Sequence, residues 1–335
     1  MGITIIGFCQ DTAETSMPDP LLCDYPLPLH KRLYPLGFAL DLYTNSQAVL
    51  DAADPSWGSF TQGSDASPKV LRLAVTEGET EAPPRQPIYR GHRNLISIVS
   101  DASNYAICEL DKGFAYGWVT SSLVSETANF RYWYLESCGY LLVVSAHLAA
   151  VHAACVSWNG HGVLLAGDSG AGKSSMAYAC ARAGWTYITD DASYLVRNSN
   201  EIEVIGNPHT LRLRESAATI YPEFADSAIT SRPEGKLTIE VPVAAIGGIK
   251  TSNRSRVQMA VFLKRNGVSA PEMVPFPKEE ALRIWSETIC FGDENVRAEH
   301  RAAFQNLLSI DIYELRYSEA PAAIRYLENF LSEKK

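Results

Sequence analysis

Apolar residues along this chain change their spacing about a third of the way in. Up to residue 128 the runs are short and alternate with period two, as in Lys69-Val70-Leu71-Arg72-Leu73-Ala74-Val75, Leu95-Ile96-Ser97-Ile98-Val99 and Asn104-Tyr105-Ala106-Ile107-Cys108-Glu109. Successive side chains of a strand point to opposite faces, so this pattern predicts a β-rich amino-terminal module over 1–128. From 129 onward longer apolar stretches alternate with helical spacing. Asn129 to Gly139 reads as a helix whose Phe130, Tyr132, Trp133 and Tyr134 suit packing between domains. The apolar run from Leu141 to Val156 reads as a buried helix followed by a strand, because His147 and His152 interrupt it as a membrane span. Asn159-Gly160 is a hairpin signal, and Gly162-Val163-Leu164-Leu165-Ala166 is the strand after it. Pairing about that turn predicts His152 opposite Ala166. A helix from Ser174 to about Ala183, closed by Gly184, precedes the strand Trp185–Thr189. Leu237–Val241 and Val257–Leu263 are expected to extend the same central sheet. Helical spacing returns in Pro277–Leu308 and Ala320–Phe330 around a late strand, Asp311–Tyr317. The fold class expected is therefore mixed α/β, with a second domain over 129–335.

Composition narrows the functional classes. With 335 residues and 46 % hydrophobic content the chain can build two cores, and 20 % charged content suits a compact fold. The net charge of −9, with no basic run longer than Lys264-Arg265, argues against nucleic acid as a partner. Seven cysteines, an odd number without a C-x-x-C pair, suggest reduced thiols and a cytoplasmic setting rather than a zinc cluster. Met1–Ile6 has no basic start and too short an apolar run for a signal peptide, so no membrane partner is expected.

The chemistry concentrates between 152 and 191. Gly167-Asp168-Ser169-Gly170-Ala171-Gly172-Lys173-Ser174, followed by Ser175, fulfils G-x-x-x-x-G-K-S between a strand and a helix. Glycines 167, 170 and 172 allow the backbone to turn its N–H groups inward, and the helix N-terminus adds a positive dipole end, which together make an anion cradle for nucleotide phosphates. Lys173 can reach the terminal phosphates, and the Ser174 hydroxyl can ligate an accompanying magnesium. One crossover helix later the strand ends in Asp190-Asp191, beside that cradle, placed to act on a metal and on a hydroxyl. Arg212 and Arg214, two residues apart on a strand, present both guanidinium groups to one face and are candidate phosphate or substrate clamps. Lys236, on the Pro233-Glu234-Gly235-Lys236-Leu237 turn, is a weaker candidate of the same kind.

The segment from His152 to Asp191, with its histidine, G-D-S-G-x-G-K-S loop and aspartate pair after a single helix, resembles the catalytic core of HPr kinase/phosphorylase and the related P-loop kinases. The resemblance implies a fold similar to that of phosphoenolpyruvate carboxykinase, ATP with magnesium as cofactors, and phosphorylation of a hydroxyl. It implies that Lys173 holds the β- and γ-phosphates, that Ser174 binds magnesium, and that Asp190, Asp191 and His152 form the acidic and basic groups around the acceptor; the placement of Asp190 also suits it to position the magnesium with Ser174. Asp191 would take the hydroxyl proton, with His152 beside it. The family's Arg-Gly-x-Gly signature is missing, and Asn207-Pro208-His209-Thr210-Leu211-Arg212-Leu213-Arg214-Glu215 stands in its place, similar to related kinases of unassigned substrate. Phosphorolysis, the carrier-protein acceptor and the family's homo-oligomer are therefore left open. A serine of a protein or peptide and a small hydroxylated metabolite both satisfy the chemistry. So does a regulatory module that binds nucleotide without transfer. A switch-type hydrolase is disfavoured, because no N-K-x-D motif follows.

Overall fold

The computed structural model describes residues 25–79, 81, 84–197, 199, 201–231, 237–287 and 291–333. Lys236 lies outside them, as do Cys9, Cys23 and Cys290. The amino-terminal alternation becomes a seven-stranded mixed sheet in the order Leu29–Leu33, Leu40–Thr44, Lys69–Thr76, Phe114–Thr120, Tyr105–Glu109, Leu95–Val99, Ile88–His92. Its apolar face, carrying Leu40, Leu42, Leu71, Leu73, Ile96, Ile98 and Ala106, packs on the helix Gln47–Trp57 and on a helical segment that follows the last strand. That segment runs as Thr127–Phe130, a π-turn over Arg131–Glu136, and Ser137–His147. Phe130, Trp133, Tyr134, Cys138 and Leu142 are buried in this amino-terminal core, together with Ala53 and Trp57 of Gln47–Trp57, rather than at a domain boundary. A smaller cluster of Leu36, Phe38 and Phe60 with Val143, Val144, Leu148 and Ile205 joins this half to the next.

The central sheet runs Lys250–Thr251, Thr186–Thr189, Ala154–Trp158, His161–Ala166, Arg254–Arg265, Glu203–Ile205, Ser193–Val196, Leu148–Val151. Asp311–Tyr317 adds parallel to the second half of Arg254–Arg265, and Glu272–Pro275 adds beyond it. The two faces of the strands are buried in different cores. Val163 and Leu165 face the helices Lys173–Arg182 and Ala320–Glu333, while Leu164 and Ala166 face Lys278–Ser286 and Glu294–Leu307. Burial on both faces explains the continuous apolar run that the sequence shows there.

Leu237–Pro242 does not extend this sheet. It pairs antiparallel with Thr210–Arg214 on one side and Ile229–Ser231 on the other, forming a separate three-stranded sheet. Its alternation suits a small sheet with one covered face, where Leu211, Leu213 and Ile239 are buried on the helix-bearing core. Of the cysteines, Cys108, Cys138, Cys155 and Cys180 are buried free thiols. No helix among the described residues is long and apolar enough to cross a membrane.

Candidate functional site

His161–Ala166 and Thr186–Thr189 both run antiparallel to Ala154–Trp158, which lies between them. They therefore end at the same edge of the sheet, one in the glycine loop and the other in Asp190-Asp191. Gly170 and Gly172 hold φ of 92° and 93°, left-handed values that glycine adopts without a Cβ clash. Gly172 then caps the helix Lys173–Arg182, whose first amides face the loop. Lys173 is buried, at 7 % exposure, and its Nζ donates to the carbonyls of Gly167 at 2.8 Å and Asp168 at 3.2 Å. Burial lowers its pKa from the ordinary lysine value, Asp191 and Asp168 oppose that shift, and Arg214 adds to it. An anion entering the loop would compete with those two carbonyls for the ammonium.

The Ser174 hydroxyl donates to the backbone carbonyl of Asp190 at 3.2 Å, which ties the loop to the acid pair. The two acids differ sharply. Asp190 is buried, with Oδ1 accepting from the Tyr187 hydroxyl at 2.9 Å and Oδ2 from the Arg212 N–H at 3.1 Å. Burial first, and the neighbouring Asp191 second, push its pKa up to about 6, while Arg212 and these hydrogen bonds pull the other way. The fold thus holds a proton on Asp190 that the unfolded chain releases near pH 4. The stability this contributes is present below that pH and is lost as pH rises through about 6. Asp191 is half exposed, and His152 Nδ1 lies 3.4 Å from its Oδ1.

His152 reaches that position by a route other than the expected pairing. Asn159 and Gly160, both at positive φ, form a two-residue turn that sets His161 opposite Trp158 and Leu165 opposite Ala154. That register lies one residue away from one placing His152 opposite Ala166. The strand also breaks there: the Ala153 N–H donates to the Val151 carbonyl at 2.8 Å, closing a γ-turn centred on His152. The Ser193 hydroxyl donates to the Ala153 carbonyl at 2.9 Å and fixes the break. The turn aims the imidazole at the acid pair, whereas an unbroken strand would have set it into one face of the sheet.

Arg212 and Arg214 share a face of their strand, as their spacing predicts, but serve different neighbours. Arg214 is exposed; its Nη2 donates to Ser169 Oγ at 3.2 Å, and its guanidinium lies over Gly170. Arg212 is partly buried, 3.5 Å from Glu240. Burial disfavours its charge, but Glu240, Glu136 and Asp190 outweigh burial and hold its pKa above the usual arginine value. Ser175 contributes its carbonyl to the Tyr221 hydroxyl at 3.0 Å. Sequence reading missed Tyr187, Glu240, Arg131 and Glu136. The only local signal among them is the placement of Tyr187 three residues before Asp190, on the short strand that ends just ahead of it.

Residues 144–214 match the family model of the HPr serine kinase C-terminal domain. The match spans the glycine loop, the acid pair and both arginines, and over it the chain is related to HPr kinases. The HPr(Ser) kinase/phosphatase from Coxiella burnetii is similar at 13 % identity, over 55 % of this chain and 97 % of that one, with a TM-score of 0.32. No curated protein matches the chain.

Proposed function

We propose that this protein is an ATP-dependent kinase that transfers the γ-phosphate to a hydroxyl, with a serine of a protein or peptide as acceptor. One observation carries the reading: a buried lysine in a glycine loop stands at the same sheet edge as a half-exposed aspartate paired with a histidine. The loop amides from Gly167 to Ser175 and the Lys173 ammonium would hold the β- and γ-phosphates, with Arg214 reaching over the loop. The Ser174 hydroxyl and Asp190 would hold magnesium. Both offer hard oxygen donors, and each Asp190 oxygen retains a lone pair beyond its hydrogen bond. Among the described residues no three His, Cys, Asp or Glu side chains gather as a metal cage, which suits an ion bound largely through substrate phosphates. When bound there, magnesium supplies charge neutralisation of the phosphates.

Asp191 is the proton acceptor in this mechanism. The acceptor oxygen attacks the γ-phosphorus in line, its O–H proton passes to the Asp191 carboxylate, and the bond to the β–γ bridging oxygen breaks to release ADP. His152 orients Asp191 from the γ-turn. Asp190 is buried and its two oxygens are engaged by Tyr187 and Arg212, which suits it to fix geometry rather than to meet an incoming hydroxyl.

The test is magnesium-dependent transfer from γ-labelled ATP, by wild type and Asp191→Asn, into proteins and small molecules of a cell lysate resolved separately. A labelled protein band that falls at least about 100-fold with Asp191→Asn, at unchanged ATP affinity, is the expected result. Label in a small molecule would redirect the acceptor class. ATP binding with no transfer to anything would overturn the kinase reading in favour of a regulatory module.

A further inference from the structure

A row of alternating charges crosses from the amino-terminal half into the candidate site. It begins at Glu136, which is buried at 7 % exposure and accepts a hydrogen bond from Ser56 Oγ at 2.6 Å. Arg131 Nε lies 3.1 Å from Glu136 Oε1, and Arg131 Nη2 donates to Glu240 Oε1 at 3.3 Å. Glu240 Oε2 is 3.5 Å from Arg212 Nε, and the Arg212 N–H donates to Asp190 Oδ2 at 3.1 Å. Negative and positive groups follow one another from the amino-terminal core to the acid pair.

The row depends on the π-turn over Arg131–Glu136. At 3.6 residues per turn, positions five apart on an α-helix point about 140° from each other. A π-turn closes its hydrogen bonds between residues five apart and brings them to the same side, so Arg131 and Glu136 can meet. Glu240 and Arg212 meet by a separate rule, being directly opposite in the antiparallel ladder of Thr210–Arg214 with Leu237–Pro242.

We propose that Arg131 is a positioning residue for the acid pair: through Glu240 it holds Arg212, whose backbone N–H holds Asp190. This rests on the kinase reading only for its kinetic consequence. Glu240 sits between two guanidinium groups, each partly buried, and loses a counter-charge when Arg131 is removed. Arg212 then draws Glu240 toward itself, and the strand Thr210–Arg214 is freed to shift against Asp190. The Lys173 ammonium and the loop glycines have no place in the row, so affinity for ATP without magnesium is expected to stay constant while the chemical step slows.

The experiment compares wild type, Arg131→Ala and Arg131→Lys in the full chain. Hydrogen exchange over Thr210–Arg214 should accelerate at least tenfold in Arg131→Ala, with Leu95–Val99 unchanged as a reference, and Arg131→Lys should restore most of the protection. Turnover of magnesium-ATP should fall about tenfold in kcat in Arg131→Ala, with Kd for ATP in the absence of magnesium within twofold of wild type. Unchanged exchange over Thr210–Arg214 overturns the proposal, as does acceleration spread equally through both segments, which would make Arg131 a general stabiliser. A wild type that transfers no phosphate ends the kinase reading while the exchange experiment still decides the positioning role. Normal kcat and normal exchange in Arg131→Ala end the positioning role and leave the kinase reading standing.

Discussion

The amino-terminal sheet leaves its edge strand Ile88–His92 exposed from end to end, whereas the strand that leads into the glycine loop has a neighbour on each side and a helical layer on each face. A strand enclosed on all sides can carry only apolar residues between its ends, so chemistry is displaced to the loops where such strands stop. Asp190, Asp191 and His152 occupy such stops, and Lys173 opens the helix that follows one. The open sheet is under no such constraint, and its polar residues are spread along it. Its contribution to the candidate site comes through Arg131 and Glu136 on the helical segment packed against it.

That contrast can be broken first from the amino-terminal side. Trp57 is fully buried beneath the helical segment, and Trp57→Ala should cost about 3–5 kcal/mol of stability, read as a lowered denaturant midpoint. ATP affinity measured well below the transition should be unchanged. A matching loss of affinity would mean that the two halves share one fate. From the other side, Lys173→Ala should lower phosphate transfer about 10²–10³-fold, roughly 3–4 kcal/mol in the barrier, with a melting temperature within about 3 °C of wild type. Collapse of the fold would make that lysine structural.

The smallest effect sharpens the difference between the two neighbouring acids. The pKa of Asp190 stands at about 6, against an ordinary value of 3.8, so wild type should lose stability relative to Asp190→Asn as pH rises from 4 to 6.5. The loss is bounded at about 3 kcal/mol by 1.36 kcal/mol per pKa unit. Urea midpoints across that range measure it. A wild type that gains stability over the same range would show that its carboxylate is held in the charged form.

Much of the edge that carries the glycine loop was legible because its signals are local. Loop, helix and acid pair follow one another within one crossover, and the glycines announce their own backbone requirement. His152 was placed at the right edge by the wrong register, since the two-residue turn sets His161 opposite Trp158 and the γ-turn takes His152 out of the strand altogether. Leu237–Pro242 carries the alternation of a strand, but alternation does not say which sheet a strand joins. The row from Glu136 to Asp190 was illegible for a stronger reason. Arg131, Glu240 and Arg212 are ordinary charges in sequence, and only a π-turn and a ladder register bring them together.

The long strand Arg254–Arg265 has one more consequence, for the order in which the molecule assembles. It pairs with Gly162–Ala166 on one side and with Glu203–Ile205 and then Asp311–Tyr317 on the other, so the edge bearing the glycine loop closes only after a large loop of chain has been gathered in. The meander from Ile88 to Thr120 pairs with its immediate neighbours in sequence and carries a much lower contact order. During synthesis the amino-terminal sheet can therefore be in place while the strand leading into the loop still waits, apolar on both faces, for a partner the ribosome has yet to deliver.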